Sequence, residues 1–284
     1  MIVGLLHPGR MGAAVGAQLA KHGHTVLWTP QGRSAETRDR AKGAGLRSVG
    51  EISELLGRAQ VVIAICPASA AEQVAETVAL HRYEGIYVDA NAISPSRMRH
   101  IHDLFQPLGT PVIDAVISGP PPQGDIRPRI YLAGLPNPAA AVKDLLTSST
   151  LETHILAEDI GAASALKMSV ASYLRTTRLL AAVAHALADQ HGVTDALIRE
   201  AEAFGATALS DRGYLPSVAA RAWRWEAEMG EIAQTLGAAG LPTSLAKASA
   251  ELYHLLSTEK DNWSITPEDM FRRLRAPDGN HDGR

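Results

Sequence analysis

The stretch His7-Pro8-Gly9-Arg10-Met11-Gly12 holds the most readable chemistry in this chain. An apolar run, Ile2–Leu6, precedes it; an Ala-rich stretch over residues 11–22 follows, and then a second apolar run, Thr25–Trp28. Strand, tight turn, helix, strand is the opening of a βαβ unit, and glycines in such a turn let backbone approach a diphosphate. Gly9 would face the pyrophosphate, and Gly12 would let the helix pack close on the strand. The helix N-terminus adds unpaired N–H groups and a partial positive charge. Gly9, Arg10, Met11 and Gly12 are therefore expected to cradle a dinucleotide pyrophosphate. His7 stands where G-x-G-x-x-G has its first glycine, and Pro8 stiffens the chain and removes a donor.

The end of the second apolar run bears on which dinucleotide is bound. An acid there would accept from a ribose 2′-OH and repel a 2′-phosphate. Residues 28–34 read Trp-Thr-Pro-Gln-Gly-Arg-Ser and contain no acid. Arg33, Ser34 and Thr37, with Arg38 as a further candidate, can offer a guanidinium and hydroxyls to a phosphate. NADP(H) is the expected cofactor; the alternative is a solvated basic loop.

These residues need a scaffold, and the chain supplies its pattern. Apolar runs recur at residues 61–65, 86–88, 112–117 and 130–132, with helical segments at 35–44, 52–56, 68–80 and 95–105. Strands apolar on both faces that alternate with helices argue for a parallel sheet covered on both sides. Cys66 and Pro67 end one such run, where the cofactor would lie. After Gly161 the pattern changes. Residues 162–191 contain neither Gly nor Pro, and Gly192 closes the run. A helix of about 30 residues would be about 45 Å long. It is apolar on most of its circumference, so it must be buried on several sides, between domains or between subunits. Lys167, Ala171, Leu174, Arg178, His185 and Asp189 share one of its faces, and His185 and Asp189 are expected to meet another helix or subunit.

Helices are also expected at 195–204, 217–239 and 244–257, with a last one opened by Thr266-Pro267-Glu268-Asp269, a Thr cap with Pro at the first helical position. The fold class is thus α/β: a Rossmann-type parallel sheet domain (1–160), then an all-helical domain (161–276) joined by one long interdomain helix. A polar tail at 277–284 is expected to be disordered. A homodimer through the helical domain follows from the apolar helix.

Bulk properties exclude some classes. A net charge of −3 offers no footprint for nucleic acid or an acidic membrane. No apolar run reaches membrane-span length. The first strand begins at once, with no basic leader, so no signal peptide is expected. Cys66 is the sole cysteine, which rules out an intramolecular disulfide and makes a reducing cytoplasm the expected location. The histidines are scattered, and no metal site is expected.

Six ordered motifs carry a family likeness: VGLLHPGRMG, GRSAETRDRA, DANAISP (89–95), DAVISG (114–119), GAASALK (161–167) and WRWEAEMGEIA (223–233). Together they resemble the β-hydroxyacid dehydrogenase and 6-phosphogluconate dehydrogenase superfamily, in the branch with a distinct phosphogluconate-dehydrogenase-like helical C-terminal domain. Imine reductases share that architecture. The resemblance implies that Lys167, early in the long helix, is the catalytic acid/base. Burial in an apolar helix and the positive end of its dipole should lower the Lys167 pKa toward neutrality. Asn91 and Ser118 are the expected hydrogen-bonding partners near nicotinamide or substrate, with Asn91 also counted toward the cofactor.

Three departures bear on the substrate. Ala171 stands where the family has Asn, four residues after the lysine. Ser118-Gly119 is followed by Pro120-Pro121-Pro122, which cannot donate hydrogen bonds. The family's second lysine aligns with Ala227. Each change removes a donor that would hold an anionic, hydroxylated substrate. Trp223, Trp225 and Met229 could offer an apolar wall instead, or simply pack a core. The expected substrate pocket is Ser118, Gly119, Ala171, Trp223, Trp225 and Met229. The expected reaction is NADP-dependent hydride transfer to or from a C=O or C–OH carbon of a small molecule. The alternatives are reduction of imines or another unusual carbonyl, and a non-catalytic NADP-binding or sensor protein.

Overall fold

The computed structural model describes residues 1–147 and 150–275. The tail at 277–284 lies outside the described residues. The chain divides into two compact units, Met1–Met168 and a second that begins at Ser169.

The first unit is built on strands β1 (Ile2–Leu6), β2 (Thr25–Trp28), β3 (Arg47–Ser48), β4 (Val61–Ala64), β5 (Ile86–Asp89), β6 (Val112–Ser118), β7 (Arg129–Ala133) and β8 (Glu152–Ala157). Its helices are α1 (Arg10–Lys21), α2 (Ala35–Gly43), α3 (Ile52–Arg58), α4 (Ala71–Leu80), α5 (Pro95–Phe105) and α6 (Pro136–Leu146). The strands form one sheet in the order β3-β2-β1-β4-β5-β6-β7-β8. Val3, Leu5 and Ile63 pack on one face with Val15 and Leu19 of α1. Leu6, Val62 and Ala64 pack on the other with Ala75 of α4 and Met98 of α5. Burial on both faces explains the unbroken apolar runs of these strands.

The parallel run stops at β6. β7 pairs antiparallel with it, Ser118 opposite Arg129, and β8 then runs parallel to β7. The connection over 119–128 is too short for a helical crossover, which needs a dozen or more residues, so it can only make a hairpin. α6 provides the crossover from β7 to β8. β1 lies between β2 and β4, so successive connections diverge to opposite sides there. In an open α/β sheet that divergence opens a crevice beyond the carboxyl ends of the strands, where ligands bind.

The second unit is helical. α7 (Ala162–Gln190) starts in the first unit and continues into it, followed by α8 (Thr194–Ala203), α9 (Thr207–Ser210), α10 (Leu215–Ala238), α11 (Ser244–Leu256) and α12 (Pro267–Leu274). Val218, Ala222, Trp225, Met229 and Ile232 recur at helical spacing and are buried on α10; Ala246, Ser249, Tyr253 and Leu256 are buried on α11. Trp225 and Tyr253 meet edge to face at 5.6 Å. The Thr266 hydroxyl caps α12, accepting from the Asp269 N–H at 3.1 Å.

Polar groups of α7 find partners within this unit. Arg178 pairs with Asp211 at 3.3 Å, His185 Nε2 donates to the Leu209 carbonyl at 2.8 Å, and Asp189 pairs with Arg275 at 2.9 Å. Among the described residues no helix is long and apolar enough to cross a membrane, and no group of three or more His, Cys, Asp or Glu could hold a metal ion.

Candidate functional site

The turn after β1 lies at the crevice between β1 and β4. Gly9 donates its N–H to the His7 carbonyl at 2.8 Å, and His7 takes a left-handed φ of 65°. A Cβ on Gly12 would lie 2.8 Å from that same carbonyl oxygen, so only glycine lets α1 start this close to β1. A Cβ on Gly9 would meet nothing within 4 Å. The backbone at Gly9 therefore faces open space at a helix N-terminus, the setting a pyrophosphate needs. Arg10 is exposed and Met11 is half-buried against the core. Arg40 of α2 donates to the Pro8 carbonyl at 3.4 Å and ties the turn to the segment after β2.

That segment carries the other basic and hydroxyl residues. Ser34 caps α2, its hydroxyl accepting from the Thr37 N–H at 3.2 Å and lying 3.1 Å from the Thr37 hydroxyl. Arg33 is half-buried, and its Nε is buried with no hydrogen-bond partner. Nδ1 of His7 and Nδ2 of Asn91 are in the same condition. Buried polar atoms are almost always satisfied, so three orphans on the crevice turns call for a polar ligand. Glycine backbone open to solvent together with unpaired donors fits a dinucleotide.

The next layer is a hydrogen-bonded chain through the ends of β4 and β5. Asn91 Oδ1 accepts from the Cys66 N–H at 2.6 Å, while the Asn91 N–H donates to Asp89 Oδ1 at 3.1 Å. Tyr87 donates its hydroxyl to Asp89 Oδ2 at 3.3 Å. Burial pushes the Asp89 carboxyl up to about 7, opposed by the Asn91 N–H and assisted by nearby Asp114. Burial, with Asp89 beside it, pushes the Cys66 thiol up to about 12, so it stays protonated and unreactive near neutrality. Pro67 is exposed beside it.

Beyond β5, a buried carboxylate fixes the start of α7. Asp114 of β6 accepts from the N–H groups of Gly161 and Ser164, each at 3.0 Å, and from the Ser164 hydroxyl at 2.8 Å. A carboxylate at a helix N-terminus satisfies orphan donors and meets the positive end of the dipole. Gly161 has φ of 101°, and a Cβ there would strike Arg99 Nη1 at 2.9 Å. One turn later Lys167 Nζ donates to the Ile117 carbonyl at 3.0 Å. The ammonium is thus held at the carboxyl end of β6, next to half-buried Ser118. Gly119 follows with φ of 119°, and Pro120 and Pro121 are exposed while Pro122 is buried.

The remaining expected pocket residues belong to the helical unit. Ala171 is buried on α7. Trp225 and Met229 share the buried face of α10, with the Arg175 guanidinium 4.6 Å from the Trp225 ring. Arg175 also pairs with buried Glu228 at 2.7 Å. Trp223 is on the opposite side of α10, partly exposed beneath the Lys260 ammonium at 4.2 Å.

Sequence reasoning named Asn91 and Lys167 but passed over Asp89, which accepts from the Asn91 N–H, and Asp114, which anchors the start of the helix that carries Lys167. The signal was present: an acid inside an apolar strand, in VDA and IDA, is too costly to bury without hydrogen-bond partners. The Arg175–Glu228 pair had no such signal, because its partners are far apart in sequence.

The NAD binding domain of 6-phosphogluconate dehydrogenase matches residues 2–155 as a family, and a domain of unknown function, DUF1932, matches residues 188–256. Among solved structures the chain is similar to the 3-hydroxyisobutyrate dehydrogenase of Mycobacterium tuberculosis with L-serine, at 20% identity over 97% of this chain and 99% of that one, with a TM-score of 0.77. It is similar to an imine reductase of Streptomyces aurantiacus, at 19% identity over 97% of this chain and 100% of that one, TM-score 0.61. A third, Psf3 in complex with NADP+ and 2-OPP, is 18% identical over 96% of this chain and 98% of that one, TM-score 0.70. At these identities the likeness is one of fold. No curated protein matches the chain in sequence.

Proposed function

Because the chain belongs to the family of the NAD binding domain of 6-phosphogluconate dehydrogenase, we propose that it is an NADP-dependent oxidoreductase with Lys167 as general acid/base. Its reaction moves a hydride to or from a C=O or C–OH carbon of a small molecule. The observation that carries this reading is the Lys167 ammonium, held at the end of β6 by the Ile117 carbonyl at 3.0 Å. The relatives whose folds this chain shares are named as dehydrogenases and reductases.

When bound, the nicotinamide supplies the hydride. Gly9 to Gly12 would take the pyrophosphate, Arg33, Ser34 and Thr37 the 2′-phosphate, and Cys66, Pro67 and Asn91 the nicotinamide side. Asn91 holds the Cys66 turn through its own side chain, which fixes where that turn meets the cofactor. Lys167 would donate its proton to the oxygen or nitrogen of the reacting centre and recover it in the reverse direction. The Ile117 carbonyl accepts from Nζ and so sets where the ammonium lies at the end of β6. A positioned general acid contributes typically 10²–10⁴-fold.

A reading as a reductase of imines draws support from the substrate turn. Pro120, Pro121 and Pro122 offer no N–H to a carboxylate, and Ala171 offers no amide. Such a turn suits an uncharged substrate better than a hydroxy acid. A homodimer draws support from α7, which leaves Tyr173, Leu174, Leu180 and Leu187 at 70%, 45%, 58% and 63% exposure in the single chain. A second copy of that helix is the occupant that would cover them. The function is tested with a panel of β-hydroxy acids, ketones and cyclic imines, followed by NADPH absorbance. Turnover of any class above the protein-free rate supports an oxidoreductase. Binding of NADPH without turnover of any class would favour the sensor reading.

A further inference from the structure

The first position of the diphosphate turn is where this chain departs from a glycine fingerprint, and the structure shows what the departure costs. His7 holds φ of 65°, the left-handed region that favours glycine. Its carbonyl accepts from Gly9 at 2.8 Å and lies where a Cβ on Gly12 would have to go, so this conformation is tied to both ends of the turn. Glycine would make the same turn without strain. What histidine adds is an imidazole, and strain kept at a ligand turn points to a use for the side chain.

We propose that His7 is a second recognition residue for the 2′-phosphate of NADPH, acting beside Arg33; this rests on the NADP reading above. His7 follows the end of β1 and Arg33 lies in the loop after the neighbouring β2, close enough for the guanidinium charge to act on the imidazole. Each has one buried nitrogen without a hydrogen-bond partner, His7 Nδ1 and Arg33 Nε. A phosphate oxygen is an acceptor that can take both. Burial, and then the Arg33 charge, lower the imidazole to about 4. It is therefore neutral near pH 7 and can donate from one ring nitrogen without setting a second full positive charge against the guanidinium. The electrostatic link to Arg33 favours the 2′-phosphate over the pyrophosphate, which has the α1 N-terminus to itself.

The test is calorimetric titration of NADPH, NADH and 2′,5′-ADP against the parent, His7→Gly and His7→Ala, with thermal melting of each free protein. His7→Gly should bind NADPH and 2′,5′-ADP about tenfold more weakly and leave NADH within about twofold. Relief of the left-handed strain should raise its melting temperature by about 2–4 °C. His7→Ala should show the same binding loss without that rise, which separates the imidazole from the backbone. If His7→Gly keeps parental NADPH affinity, or loses NADPH and NADH equally, while the parent prefers NADPH, this proposal alone is overturned. A parent that binds NADH as tightly as NADPH overturns the NADP reading and this proposal together.

Discussion

Asp114 binds Ser164 twice, through the hydroxyl at 2.8 Å and the backbone N–H at 3.0 Å, and so fixes the helical turn that carries Lys167. The same carboxylate takes the Gly161 N–H at 3.0 Å, a third buried donor. Asp114→Ala would leave all three unpaired, at about 1–3 kcal/mol for each unsatisfied group. The melting temperature should fall by several degrees, at about 2–4 °C per kcal/mol for a chain of this class. NADPH affinity should change little while turnover falls, because the donors that Asp114 serves belong to Gly161 and Ser164 and not to the turn before α1 or to Arg33. Unchanged stability would remove Asp114 from the account as an anchor.

Arg33→Ala should cut the preference for NADPH by about tenfold or more. A charge-assisted bond to a phosphate is worth on the order of 1.5–3 kcal/mol, so parental NADPH should bind at least about tenfold tighter than NADH. Fluorescence titration of both dinucleotides checks it. A parent without that preference, or an NADPH preference undiminished by the substitution, would contradict the assignment.

Asp89 should make stability depend on pH. Its folded carboxyl titrates near 7 because of burial, against an ordinary value of 3.8. A raised folded pKa favours the folded state below pH 4, and that benefit is lost as pH rises from about 4 to about 7. Tyr87, Cys66, Asn91 and Asp114 are the polar or titratable groups around it. Parent and Asp89→Asn, melted from pH 4.5 to 8, should diverge: the parent loses stability relative to the variant as pH rises. Parallel curves would mean that Asp89 does not titrate in this window.

Leu180→Glu combined with Leu187→Glu should convert a dimer to monomer, since both side chains stand on the exposed apolar stripe of α7. The interface should exceed about 2,000 Å² in total. Light scattering reads the state directly. A parent that is monomeric at micromolar concentration would contradict the dimer.

Much of this was legible in the sequence, and for physical reasons. β1, β4 and β6 are buried on both faces and so read as apolar runs, while α7 is uninterrupted by Gly or Pro and ends one residue from the expected stop. β3 and β8 were not legible. β3 is two exposed residues, and β8 has exposed Glu152, Ile155 and Leu156, so neither shows a core pattern. α6 hides behind Pro136 and Pro138, which look like a loop but sit in its first turn, where proline is tolerated. The reversal at β7 is set by connection length, not by composition. At the candidate site, Gly9 and Gly12 were expected from the glycine turn and Lys167 from the family resemblance, while Asp89 and Asp114 show in sequence only as acids inside apolar strands, and the donors they serve appear in three dimensions.

The role of Lys167 is decided by the turnover and NADPH affinity of Lys167→Ala on a substrate the parent reduces. NADPH should bind within about twofold of the parent while turnover falls about 100-fold or more, the scale of a lost general acid. Parental turnover in Lys167→Ala would contradict that role and make the bond from Lys167 to the Ile117 carbonyl a structural one.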